Sequence, residues 1–384
     1  MSLSVAFEAI DPLLDLGSYS AAFESWLVAH PSCLDTVSKP IPDYSKRVGA
    51  MCELMAELHD ERWSRYGWPV TAGGLGGSIL HRSAMWDILS RHGVPGMGLF
   101  EHLEILAPTL VAFGPPAFVA RAMPEFLAGR ELWAQGFSEP GAGSDLANLK
   151  TVAVADGDGY RITGSKIWTS WAGYATWCLL LARTGEPGSR HKGLTAFIIE
   201  LNAPGVEVRP IIQANGTDEL AEVFLHEVYV DADRVVGDIG GGWKIAMHIL
   251  GHERGTFAWF RHCFLYQHLL DSVDDGGAHS DATLGNALLD LAAVTATSHA
   301  GLQADAAGTP FGPPAAFTKL LLCASEQSVQ DWILAHDPEL AVGVQTDAVA
   351  VRRQDYLFSR IVTVYGGSQQ MQLETIAKQI LRLP

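Results

Sequence analysis

The chain has 384 residues, 48% of them hydrophobic and 18% charged, with a formal net charge of −17. That length accommodates two or three domains with a sizeable core, and the acidic balance excludes a groove that tracks nucleic-acid phosphates, which needs an excess of Lys and Arg. No apolar run reaches the roughly 18 residues of a membrane span, and the acidic N-terminus, MSLSVAFEAIDPLLDLG, does not read as a signal peptide.

In chain order, residues 1–130 read as a helical domain. Val48, Met51, Leu54, Met55 and Leu58 recur at helical spacing within 44–65. The glycine-rich run WPVTAGGLGGS (68–78) is a loop, and 81–91, 102–113 and 117–129 form further helical segments. Over 131–236 the period changes to that of strands. A hairpin is expected with strands at 151–155 and 160–163 around the turn DGDG, followed by apolar runs at 176–182 and 194–201 and an alternating one at 222–230. Short antiparallel strands of this kind make a small β-barrel or sandwich, not a βαβ sheet. Three glycines (240–242) then precede a return to helices, with a long segment at 243–273 and others at 282–306, 315–335, 348–363 and 369–381. The expected domains are therefore helical (1–130), β (131–236) and a C-terminal helical bundle (237–384).

Five scattered cysteines, Cys33, Cys52, Cys178, Cys263 and Cys323, read as reduced thiols, and the 14 histidines show no H-E-x-x-H motif. The expectation is a cytoplasmic protein without a metal site.

The informative stretch is FSEPGAGSD (137–145). Gly141, Ala142 and Gly143 leave backbone N–H groups open to a ligand, and Ser138 and Ser144 add hydroxyl donors suited to a nucleotide-like group. Behind the hairpin follows Gly164-Ser165-Lys166-Ile167-Trp168-Thr169-Ser170. This pairing resembles the flavin-binding middle domain of the acyl-CoA dehydrogenase family, whose pattern is (T/S)EPGAGSD followed by G-x-K-x-W-(I/T)-(T/S). The resemblance covers most of the chain and implies three parts: an N-terminal helical domain, a middle antiparallel β-barrel and a C-terminal four-helix bundle. By resemblance FAD is the cofactor, held through Gln135, Phe137, Ser138, Gly143, Ser144, Trp168, Thr169, Ser170 and Ser368.

The family reaction is α,β-dehydrogenation of an acyl-CoA thioester, which needs a carboxylate base in a dry pocket. Many members carry that glutamate in a Y-E-G-T motif. Here the stretch is Tyr365-Gly366-Gly367-Ser368, with glycine at the glutamate's place. Some relatives place the base in an L-x-x-E-R motif on the long helix, and this chain has Leu250-Gly251-His252-Glu253-Arg254. Glu253 is thus the expected base, against a reading as a structural salt bridge. Arg254 is the expected CoA contact, and the Gly366 backbone N–H the expected donor to the thioester oxygen.

A second departure concerns the family's R-x-x-F-G motif, whose arginine reaches the flavin of a neighbouring subunit. The corresponding stretch, GGAHSDATLGNAL (276–288), has neither the arginine nor the phenylalanine, and Asp281 would repel phosphates. The G-G-x-G-(Y/F) motif is also missing, with residues 342–353 in its place. These departures imply a hetero-oligomer in which a related subunit supplies the arginine, as in actinobacterial relatives acting on bulky, steroid-derived thioesters. An electron-transfer flavoprotein or similar acceptor is the expected redox partner. Two other readings stay open: a non-catalytic subunit, and a flavin oxidase or monooxygenase on the same fold.

Overall fold

Alternating apolar positions decide where each element sits in the computed structural model, which describes residues 13–96, 98–276 and 282–384. Five helices come first: α1 (Leu16–Ala29), α2 (Tyr44–Asp60), α3 (Ile79–Arg91), α4 (Gly98–Phe113) and α5 (Pro116–Leu127). In α2 the residues Val48, Met51, Leu54, Met55 and Leu58 are buried on one stripe, and Asp43 caps the helix by accepting from the Lys46 N–H at 3.2 Å. The segment read as helical to Arg65 stops at Asp60, where Arg62 takes a left-handed φ of 73° and a 3-10 turn follows.

Eight strands follow: β1 (Trp133–Gly136), β2 (Val152–Asp156), β3 (Gly159–Ser170), β4 (Trp177–Arg183), β5 (Leu194–Glu200), β6 (Val206–Ile211), β7 (Leu220–Asp231) and β8 (Val235–Val236). They form one sheet in the order β6-β7-β3-β2-β4-β5-β8, with β1 pairing β4. The end strands β6 and β8 do not pair, so the expected barrel is an open sheet. It is also not wholly antiparallel, because β1 runs parallel to β4 from Trp133↔Trp177 to Gly136↔Leu180.

The unbroken apolar run in β4 reflects burial on both faces. Leu179 and Leu181 join the main core with Trp133 and the helices, while Cys178, Leu180 and Ala182 join a second core with Phe197, Val223 and Leu225. Both layers hold the sheet firmly beneath the site.

The helices then resume as α6 (Gly242–Gly276), α7 (Ala282–Ala306), α8 (Ala315–His336), α9 (Pro338–Val342), α10 (Asp347–Ser359) and α11 (Gln369–Thr375). The long helices α6, α7 and α8 pack on one another, α10 lies on α8, and α4 packs on α6. The last helix ends sooner than the expected 369–381, passing into a π-helical turn at Ile376–Ile380. Asp281 lies outside the described residues. Among the described residues no helix is long and apolar enough to cross a membrane, and all five cysteines are free.

Candidate active site

The loop 138–145 is held by a buried ion pair. The Glu139 carboxylate accepts from the Lys150 N–H at 2.5 Å, the Thr151 N–H at 2.9 Å and the Lys166 ammonium at 2.8 Å. Lys166, 1% exposed in mid-β3, also donates to the Phe137 carbonyl at 3.3 Å. Burial pushes the Lys166 pKa down to about 8, with Glu139 opposing. Burial pushes the Glu139 carboxyl up, and the Lys166 charge and hydrogen bonds bring it below its usual range. The loop and the strand are thus one unit.

A bulge next to Lys166 then re-aims the strand. Lys166 faces Val223 and Thr169 faces Ala221, so three steps on β3 oppose two on β7. Trp168, inside the bulge, takes a left-handed φ of 59° and is 56% exposed. An aromatic residue held there is strained, which marks a position fixed by its surroundings. The exposed indole offers a flat apolar face for a ring system. Nothing lies within 4 Å of a Cβ built on Gly143, so the loop leaves open space beside that face. An exposed planar side chain beside an open loop lined with hydroxyls fits a flavin.

Opposite stands α6, whose residues Trp243, Met247, Leu250, Glu253, Arg254, Phe257 and Arg261 face the same cavity. Helical spacing puts Glu253, Phe257 and Arg261 on one face, one turn apart. Gly366 and Gly367, both at positive φ (66° and 87°), form the turn against Glu253. A Cβ at residue 366 would stand 3.3 Å from the Glu253 carboxyl carbon and Oε1. A Cβ at 367 would stand 2.9 Å from Arg254 Nη2, so glycine at these two positions makes room for the Glu-Arg pair. Arg254 Nε donates to the Gly366 carbonyl at 3.2 Å, and Gln372 Nε2 donates to the Gly367 carbonyl at 2.8 Å, which fixes the turn.

Burial raises the Glu253 carboxyl above its ordinary range against the opposing charges of Lys319 and Arg254. Lys319 is 1% exposed, has no hydrogen-bond acceptor among the described residues, and holds its ammonium 3.8 Å from the centre of the Tyr365 ring.

The cavity measures about 950 Å³. It brings together Gln135, Phe137, Ser138, Gly143, Ser144, Trp168, Ser170, Glu253, Arg254, Gly366 and Ser368. Thr169 is not among its lining residues. It is fully buried, because strand alternation turns it away from the face that shows Trp168 and Ser170, and its hydroxyl has no partner. Tyr44, Arg47, Glu219, Arg261 and Asp355 are among the lining residues that escaped sequence reasoning. The signal available was a charge inside an apolar helical run, as with Arg261 in WFRHCFLY; Glu219, in the loop just before β7, gave none.

Known proteins align with this geometry. The model for "Acyl-CoA dehydrogenase, middle domain" matches residues 134–231. The acyl-CoA dehydrogenase IpdE1 of Mycobacterium tuberculosis is 38% identical over 335 residues, covering 83% of this chain and 84% of its own. Among solved structures, the Tcur3481-Tcur3483 steroid ACAD superposes with a TM-score of 0.80 at 27% identity, covering 96% of each chain. The ChsE4-ChsE5 complex from Mycobacterium tuberculosis gives 0.75 at 25% identity, covering 98% of this chain and 100% of the other.

Proposed function

The chain belongs to the acyl-CoA dehydrogenase family, and from that premise we propose that it removes the α-proton of an acyl-CoA thioester through Glu253 in an FAD-dependent α,β-dehydrogenation. The observation that carries this reading is the fit between Glu253 and the glycine turn. The carboxylate lies 3.3 Å from where a Cβ at 366 would stand, inside the cavity lined by the loop 138–144 and Trp168. Burial raises the affinity of Glu253 for a proton, which suits a base that must act near neutral pH.

The flavin, when bound, supplies the hydride acceptor for the β-hydrogen. Ser138, Gly143, Ser144, Trp168 and Ser170 would hold it, with Gln135, Phe137 and Ser368 around them and Thr169 supporting Trp168 from below. The Gly366 N–H would donate to the thioester oxygen as charge develops there, and the Arg254 bond to the Gly366 carbonyl, on the next peptide, helps to fix the turn. Arg254 also reaches the cavity, where it would meet the CoA portion.

Glu253→Gln keeps the shape and removes the base. Flavin content should stay at the wild-type level while turnover, read as flavin bleaching by acyl-CoA, falls by about 10²-fold or more. Turnover near wild type would exclude Glu253 as the base.

The missing arginine at 276–288 supports assembly with a related chain. The name of the ChsE4-ChsE5 complex describes such a pairing for that protein, and the name of the steroid ACAD supports a bulky, steroid-derived acyl group here. An electron-transfer flavoprotein is the proposed acceptor. A non-catalytic subunit is disfavoured by the open loop and the exposed Trp168, and flavin absorbance of the purified protein separates the two. Oxygen consumption without an added acceptor would instead point to an oxidase.

A further inference from the structure

Two glycines in a row give a turn little hold on its own shape, because glycine takes left- and right-handed φ with similar ease. Gly366 and Gly367 nevertheless keep φ values of 66° and 87°, and both line the cavity beside Glu253. Among the described residues the Gly366 N–H meets no acceptor, so it is available to a ligand. What keeps that N–H in place must come from outside the pair.

Upstream, the Tyr365 ring lies 3.8 Å from the Lys319 ammonium and meets Phe257 edge-on, ring centres 5.8 Å apart. Downstream, Gln372 in α11 reaches back to the turn. Its Nε2 donates to the Gly367 carbonyl at 2.8 Å and to the Gly366 carbonyl at 3.4 Å, one amide hydrogen for each. Both of these neighbours are acceptors, which assigns the NH2 and not the oxygen to this side. Ser368 caps α11 by accepting from the Met371 N–H at 3.3 Å, so helix and turn are one piece. The ring before Gly366 and the two carbonyls from it onward are thus held, and the N–H between them is fixed.

The other end of the same side chain is unfavourable. Gln372 is fully buried, and its Oε1 has no hydrogen-bond partner among the described residues. A buried, unpaired amide oxygen is destabilising, and an apolar side chain of similar size would not carry it. The use of the residue therefore lies in the NH2 aimed at the turn. Resting on the dehydrogenase reading, we propose that Gln372 is a positioning residue: by holding the Gly366 and Gly367 carbonyls it aims the Gly366 N–H at the thioester oxygen. Gln372 is not among the residues that line the cavity, so it acts through the turn and not on the substrate. Its effect belongs to the transition state, where charge on that oxygen is greatest, and so to kcat more than to KM.

Gln372→Met keeps the approximate shape and removes both the donor and the unpaired oxygen. The test uses the flavin-loaded full-length protein, with any partner chain that co-purifies, and two probes, octanoyl-CoA and the CoA thioester of cholan-24-oic acid. The variant should lose about tenfold or more in kcat with KM changed by less than about threefold, while flavin content and melting temperature stay at wild-type levels. The second readout is the infrared carbonyl stretch of the corresponding 2-enoyl-CoA, labelled with 13C at the carbonyl carbon and bound to the oxidised enzyme. Hydrogen bonding should lower that stretch in the wild type, and the variant should return it toward the value of the free thioester. A variant with wild-type kcat or an unmoved carbonyl stretch would overturn the proposal, as would one that unfolds or loses its flavin, which marks a structural role. Flavin reduction by neither thioester in the wild type would remove the dehydrogenase reading and this proposal with it, whereas an active wild type beside an unaffected variant removes the proposal alone.

Discussion

As the proposed base, Glu253 must be ionised to accept a proton, yet burial works against its charge. Its carboxyl therefore titrates above the ordinary value of 4.5, held down by the Lys319 and Arg254 charges. The acid limb of the kcat–pH profile should lie above that value, since only the deprotonated form acts. Lys319 also faces Cys323 and Glu326 on its own helix, Arg254 on α6 and the Tyr365 ring. Lys319→Met removes a positive charge that favours the carboxylate, so the limb should move to higher pH, while a merely structural lysine would leave it in place. Stability should respond in the same sense. A carboxyl with a raised folded-state pKa stabilises the fold below its unfolded pKa and loses that contribution as pH rises through the folded value. Glu253→Gln should therefore be more thermally stable than wild type at pH 7 to 8, and equal melting temperatures would show that the buried charge carries no such cost.

At the scale of the element, the loop 138–145 and strand β3 depend on one buried pair. Removing one partner of a buried ion pair typically costs about 3–5 kcal/mol, because the other charge is left uncompensated. Glu139→Ala should lower the free energy of unfolding by an amount in that range, and should reduce flavin content under conditions where the sheet is still folded. A loss of stability with full flavin occupancy would show that the tether holds the sheet and not the loop. The helices were legible because their apolar stripes repeat, and the loop because small residues and serines cluster in it. The bulge at Trp168 was not legible. Nothing in a tryptophan signals a left-handed backbone, which here is imposed by the pairing of β3 with β7. The open edge of the sheet was hidden for a related reason: strand alternation reports faces, not whether the first and last strands meet.

For the whole molecule, sequence separation sets what could be foreseen. Tyr44, Glu219, Arg261 and Asp355 converge on one cavity from three parts of the chain, and no local pattern links them. Glu253 and Gly366 also meet only in the fold, but each carried a local motif, and the proposed base was singled out for that reason. A missing motif was readable too. An arginine pairing with a flavin pyrophosphate contributes on the order of 1.5–3 kcal/mol, and residues 276–288 have none to offer. Expressed alone, the chain should show low flavin content, and co-expression with a related chain carrying R-x-x-F-G should restore it and raise the melting temperature by linkage. A homo-oligomer with one tightly bound flavin per subunit and full activity would be incompatible with that assembly.

The glycine turn beside Glu253 also constrains the history of the site. With 3.3 Å between the carboxylate and a Cβ at residue 366, and a φ of 66° there, a glutamate at 366 would strain the backbone and push Glu253 aside. Two carboxylates so close would also compete for one proton. A change that moved the base from the turn to the long helix would therefore meet its cost at the step where both glutamates were present.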